Sequence, residues 1–168
     1  AFRSIQVVLK EDYDLIFATS TPLTAGIPGI IAKCIRRKPF IFEVRDLWPE
    51  LPKAMGVVRN PFILSGMALL EYCSYKAADR LIGLAPGIVD GIKRIKGRDA
   101  DVAMIPNSCD TDLFMPGIGD RSLIPGVSDK DFIAIFTGAH GIANGLDAVL
   151  DAAAELKRRN AGDIKLLF

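Results

Sequence analysis

The chain has 168 residues, 50% of them hydrophobic and 24% charged, and a formal net charge of +1. That apolar content is enough for a buried core and excludes wholesale disorder, while near neutrality removes any bulk attraction for nucleic acid or an anionic membrane. Three widely spaced cysteines (Cys34, Cys73, Cys109) and a single histidine, His140, complete neither a disulfide framework nor a zinc cluster, which points to a reducing compartment without a structural metal.

Ala1 to Lys10 carries Phe2, Ile5, Val8 and Leu9 at helical spacing. It lacks the basic start and apolar core of a signal peptide and an initiator Met, so the chain reads as an internal piece of a longer protein. Leu15 to Ala32 is uncharged and long enough to raise the question of a membrane span. Its Thr19, Ser20, Thr21, Pro22, Pro28 and Gly29 argue for a strand, a loop and a helix start instead. The pattern predicts a strand over 15–19, a helix over 23–37, a strand over 39–44 and a polar, aromatic loop over 45–50. Asn60-Pro61 reads as an N-cap followed by proline at the first helical position, opening a helix to about Lys76. A strand over 80–85, a helix over 86–96 closed by Gly97 and a strand over 102–105 follow.

This alternation implies an α/β, doubly wound parallel sheet, with right-handed crossovers, helices on both faces and ligands at the C-terminal ends of the strands. After Pro116 the Gly- and Pro-bearing stretch 117–130 has no periodicity and reads as an interdomain linker. A strand over 131–137, a loop over 138–145, a helix over 146–159 and a strand over 164–168 then restart the pattern. The expected division is therefore 1–116, 117–130 and 131–168. One β-α-β unit cannot cover its own sheet, so the second domain is expected to continue past residue 168.

Phe136 to Asp147 places Gly138, Gly141 and Gly145, with His140 and Asn144, between a strand and a helix. Such a turn serves as an anion site, because glycines let a ligand approach the backbone and the helix presents free N–H groups, or as an ordinary turn whose glycines only solve geometry. It is neither Gly-x-Gly-x-x-Gly nor Walker A, which withdraws support from a nicotinamide dehydrogenase or a P-loop kinase. His140 is open to three readings: a donor to an anion, a titrating acid or base, or a loop residue without a role. At the end of the second strand, Asp46 is suited to accept a proton or orient a hydroxyl, and Arg45 to grip phosphate or carboxylate; the alternative is that both pair with neighbouring charges while Trp48 packs under the loop. Ser20-Thr21-Pro22 also ends a strand, though Ser and Thr are ordinary turn formers. Asp110 and Asp112 read as turn and cap residues, and the basic clusters at 36–38 and 93–96 as solvated helix ends or contacts to anionic lipid head groups.

Tyr13-Asp14-Leu15-Ile16 with Ser20-Thr21-Pro22-Leu23, Phe42-Glu43-Val44-Arg45-Asp46-Leu47-Trp48-Pro49-Glu50, Ala77-Ala78-Asp79-Arg80, Ile105-Pro106-Asn107 with Asp110 and Phe114-Met115-Pro116, and finally Gly138 with Gly141, Asn144 and Gly145 follow one another along nearly the whole chain. In that order they resemble retaining GT-B glycosyltransferases of the family 4, group 1 type. The Arg-Asp-Leu-Trp-Pro-Glu segment is most similar to bacterial surface-polysaccharide aminosugar transferases related to N-acetylfucosaminyl transfer. The resemblance implies two Rossmann-like domains face to face, truncated here at both ends: 1–116 from the acceptor-side domain and 131–168 from the nucleotide-sugar side. It implies retaining transfer from a nucleotide-diphosphate sugar to a lipid-linked or glycan acceptor in lipopolysaccharide, capsule or O-antigen synthesis. No metal or other cofactor, no nucleic-acid partner, a cytoplasmic location at the inner membrane face and peripheral membrane contact go with it.

By the same resemblance Gly138, Gly141, Asn144 and Gly145 bind the donor phosphates, and His140 stabilises leaving-group charge. Arg45 and Asp46 face the sugar and acceptor as the other catalytic residues, and Ser20, Pro22 and Trp48 form the acceptor-side loop. Many relatives carry histidine where this chain has Arg45, so no catalytic base is assigned there. The family's glycine-rich acceptor loop and its later diphosphate-gripping segment are not among these residues, so this fragment alone is expected to be inactive. Two other readings are a GT-B-like nucleotide-sugar epimerase, which needs carboxylates or histidines at the sugar, and a non-catalytic sugar-nucleotide-binding module.

Overall fold

The computed structural model describes residues 2–117 and 119–168. They form two compact units, Ala1–Ser108 and Cys109–Phe168. The first contains α1 (Phe2–Lys10), β1 (Ile16–Thr19), a 3-10 turn (Leu23–Ala25), α2 (Gly26–Cys34), β2 (Phe40–Val44), α3 (Glu50–Ala54), α4 (Pro61–Ala77), β3 (Arg80–Gly83), α5 (Pro86–Lys96) and β4 (Val102–Met104). Its strands make one parallel sheet in the order β1-β2-β3-β4, with Ala18 level with Phe42 and Phe42 level with Leu81. The chain is thus an α/β protein with a Rossmann-like parallel sheet, as the alternation of elements requires.

Local chemistry explains the helix boundaries. Pro28 is the third residue of α2, where its missing N–H has no intrahelical partner to lose. The 3-10 turn takes up residues 23–25, so α2 starts three residues later than the apolar pattern suggests. The Asn60 side chain accepts the N–H groups of Phe62 and Ile63 at 2.9 and 3.4 Å and caps α4, with Pro61 first in the helix. At the other end of α4, the Lys96 ammonium donates to the carbonyls of Tyr75 and Ala78 at 2.7 and 3.1 Å.

β2 decides the two faces of the sheet. Phe40, Phe42 and Val44 are fully buried, whereas Ile41 and Glu43 alternate to the other side and are half-buried. α2 packs on β1 and β2, α4 on α2 and β2, and α5 on β3, β4 and α4, which makes one helical layer. Sequential strands that step in one direction keep right-handed connections on one side. α2, α4 and α5, which cover the sheet, therefore lie on one face of it, where the sequence pattern suggests helices on both, and Phe17, level with Ile41 on the other, is 55% exposed.

Beneath the helical layer, Phe40, Phe42 and Tyr75 form a chain of tilted rings with centroids 5.6 and 6.2 Å apart, and Ala78, Leu81 and Ile92 complete the cluster. Each large side chain buried here contributes about 1.5–3 kcal/mol. α2 comes so close to β2 that a Cβ at Gly29 would run into the Phe40 ring, an overpacking that costs about 1–3 kcal/mol.

The second unit holds a 3-10 turn (Arg121–Leu123), β5 (Phe132–Ile135), a 3-10 turn (Ile142–Asn144), α6 (Leu146–Arg158) and β6 (Ile164–Leu167). β5 and β6 pair in parallel, with Phe132 level with Ile164, so this unit is a single β-α-β motif. No helix among the described residues is long and apolar enough to cross a membrane. The run 15–32 is β1, a loop with the first 3-10 turn, and the start of α2.

Candidate functional site

In the first unit two loops leave neighbouring strands at their C-terminal ends, because β1 and β2 pair with Thr19 level with Glu43. Ser20 is next in the chain and 1% exposed, and its N–H donates to the Glu43 carbonyl at 2.8 Å. The Ser20 hydroxyl then accepts the backbone N–H of Arg45 at 2.9 Å and that of Asp46 at 3.4 Å, while its carbonyl accepts the Trp48 indole N–H at 3.1 Å. Thr21 donates its hydroxyl to the Asp46 carboxylate at 3.1 Å. The peptide bonds Thr21–Pro22 and Trp48–Pro49 are both cis. Four residues singled out from sequence, Ser20, Arg45, Asp46 and Trp48, thus belong to one hydrogen-bonded construction.

Asp46 takes its hydrogen bond from Thr21 rather than from a cation, and Arg45 is exposed. These two line an open depression of about 330 Å³ with Leu47, Glu50, Leu51, Ala54 and Ile88. Leu47 lies against α5 at Gly91, where a Cβ would overlap its side chain, and Glu50 pairs with Arg94 of the same helix at 3.3 Å. Pro22 and Trp48 meet on the wall of a different cavity of about 380 Å³, whose other lining residues include Leu23, Ile63, Met67 and Leu70. That cavity is apolar; the depression at Asp46 carries charge.

Glu71 belongs to the same construction and was not singled out from the sequence. It sits on the inner side of α4, is 2% exposed, and accepts the backbone N–H of Trp48 at 3.1 Å and the hydroxyl of Tyr75 at 2.8 Å on the same oxygen. Burial raises its pKa above the usual carboxylate value; the hydrogen bonds from Tyr75 and Trp48 oppose this, and the nearby Glu50 charge adds to it. Burial likewise raises the Tyr75 phenol, with the Glu71 charge acting in the same direction. The available signal was a lone carboxylate in the apolar run 67–73 with a tyrosine four residues on, a spacing that puts both on one helix face.

In the second unit the loop 138–145 joins β5 to α6. The Asn144 amide donates to the Ala139 carbonyl and closes the loop, and Gly145 precedes α6 in the left-handed region at φ 60°, which glycine adopts without strain. No side chain caps the start of α6 among the described residues; the Ala148 N–H donates to the Gly145 carbonyl at 3.1 Å. The His140 ring lies 6.2 Å from those of both Phe136 and Phe168. His140 and Gly141 line a cavity of about 370 Å³ with Leu146, Asp147, Leu150 and Phe168. Gly138, Asn144 and Gly145 shape the loop and are not among the residues lining that cavity. Among the described residues no three His, Cys, Asp or Glu side chains gather as a metal-ligand set.

Residues 1–108 match the family described as the glycosyl transferase 4-like domain. The match ends at the same residue as the first compact unit and contains the whole of its strand-end construction. No curated protein matches the chain. On the family match, which spans well over half its length, the chain belongs to the glycosyl transferase 4-like family, and its chemistry is glycosyl transfer.

Proposed function

We propose that this protein transfers a sugar, with retention of anomeric configuration, from a nucleotide-diphosphate sugar to a lipid-linked or glycan acceptor in the synthesis of a surface polysaccharide such as lipopolysaccharide, capsule or O antigen. The observation that carries the reading is the family match over the unit in which Ser20 and Thr21 hold the Arg45-Asp46 turn. Asp46 orients the acceptor hydroxyl, and the exposed Arg45 guanidinium offers a two-pronged donor to phosphate or sugar oxygens. The apolar cavity beside Pro22 and Trp48 supports an acceptor with a lipid portion, and with it action at the cytoplasmic face of the membrane.

The loop 138–145 receives the donor diphosphate. Its support is the uncapped N-terminus of α6 and the His140 and Gly141 walls of the adjacent cavity. In the reaction the bond between the anomeric carbon and the diphosphate oxygen breaks, the acceptor oxygen bonds to that carbon on the same face, and the acceptor proton passes to the departing phosphate. Backbone N–H groups and His140, rather than a metal, take up the leaving charge.

The test is a panel of nucleotide-sugars incubated with the protein and a membrane lipid extract, following nucleoside diphosphate release and glycolipid formation. Acceptor-dependent release from one donor is expected. Conversion of a nucleotide-sugar without acceptor would establish an epimerase instead, and binding without turnover a non-catalytic module.

A further inference from the structure

We propose that Glu71 is the positioning residue of the strand-end turn: from α4, its carboxylate holds the Trp48 backbone N–H and so fixes the far end of the segment that carries Arg45 and Asp46. The near end of that segment is held by the Ser20 hydroxyl through the Arg45 and Asp46 N–H groups. The Trp48 side chain is tied to the Ser20 carbonyl at 3.1 Å. The turn is thus pinned from both sides, and Glu71 supplies the one pin among these that ionises.

Burial makes the clamp strong. A carboxylate 2% exposed has little water to turn to, and both donors that reach it converge on one oxygen, the Tyr75 hydroxyl at 2.8 Å and the Trp48 amide at 3.1 Å. Tyr75 is itself fully buried in the core beside Phe42, so it cannot follow a moving loop. Displacing the turn therefore strips the carboxylate of one of two donors in a place where an unpaired charge is costly. Asp46 stays at its strand end because moving it means breaking the Glu71 contact.

The ionisable groups bearing on Glu71 are Tyr75 on its own helix and Glu50 at the start of α3, the latter paired with Arg94 of α5. Lys96 of α5 reaches the Tyr75 and Ala78 carbonyls at the end of α4. Tyr75 donates a hydrogen bond to the charged carboxylate, and Glu50 opposes that charge.

Trp48 is the sole tryptophan of the 168 residues, so its fluorescence reports on the turn directly and without any assay of activity. Titrated from about pH 8 towards pH 4, Trp48 emission and acrylamide quenching are expected to change with a midpoint above the ordinary glutamate value of 4.5. That transition should vanish in Glu71→Gln and shift to lower pH in Glu50→Gln. Should Glu71→Gln not fold, Tyr75→Phe provides the second test, since losing one donor to the carboxylate must raise the midpoint. A transition that survives Glu71→Gln unchanged, or a midpoint that Tyr75→Phe does not move, would overturn the proposal.

The catalytic consequence rests on the reading of Asp46 as a transfer residue. In the transfer assay Glu71→Gln should lower kcat about tenfold or more while the donor KM stays within about threefold. Fluorescence behaving as expected in a protein that turns over no nucleotide-sugar would retain the positioning role and remove the transferase reading.

Discussion

The Ser20 hydroxyl and the Arg45 backbone N–H lie 2.9 Å apart across 25 residues of chain, in one of the four hydrogen bonds that join the loops following β1 and β2. Ser20 is buried, so Ser20→Ala leaves the Arg45 and Asp46 amides without their acceptor and destabilises the protein by about 1–3 kcal/mol. Thermal or urea unfolding reads the loss. A midpoint equal to wild type would remove Ser20 from its role as the link.

Stability should respond to pH with two opposite signs. The folded pKa of Glu71 is raised, so its contribution is fully present below the unfolded value of 4.5 and is lost as pH rises through the folded value. At neutral pH its ionised form is a cost, and Glu71→Gln should be at least as stable as wild type there, with the advantage shrinking towards pH 4.5. The reverse holds for Asp79, whose hydrogen bonds from Lys33 and the Phe40 N–H hold its pKa below 3.8. Its contribution is present above that value and is lost as pH falls through the lowered one. The Asp79 side chain is 40% exposed, so its pair with Lys33 amounts to no more than about 1 kcal/mol. Urea unfolding of wild type, Glu71→Gln and Asp79→Asn across this range tests both signs, and parallel pH profiles for all three would contradict them.

His140 and Asp147 line the same cavity and should act on a bound diphosphate in opposite directions. His140→Ala should lower turnover about tenfold or more by removing a donor to the developing charge. Asp147→Asn removes a negative charge that repels a bound diphosphate, so the donor KM should fall by about two- to threefold. Wild-type kinetics in both variants would place the donor elsewhere.

Much of the fold was legible because its signals are local. Asn60-Pro61 marks the start of α4 with a capping side chain and a proline that the first turn tolerates, and the structure begins the helix there. The short apolar runs became the parallel strands, with ends trimmed by one or two residues. α3 was not legible: five residues including Pro52 carry no period, and such a helix exists through its place between the Trp48 turn and Arg94 rather than through propensity.

The candidate site was legible as strand ends and opaque as a network. Parallel pairing predicts that Ser20 and Arg45 come close, but the choice of hydroxyl as acceptor depends on register, which no single segment displays. Glu71 escaped because a charge inside an apolar helix is readable as inward-facing only when its partner, the Trp48 amide 23 residues away, is known. The bare face of the sheet was equally hidden, since strand order, not composition, decides which side the helices take.

The role proposed for Asp46, held in place by Thr21 and the Ser20 and Glu71 pins, is in the transfer step. The most direct measurement is kcat and donor dissociation constant for Asp46→Asn beside wild type, with the nucleotide-sugar and acceptor found in the screen. Asp46→Asn should lower kcat about tenfold or more, with donor affinity within about threefold and an unchanged unfolding midpoint. Wild-type kcat in a natively folded Asp46→Asn would contradict that role.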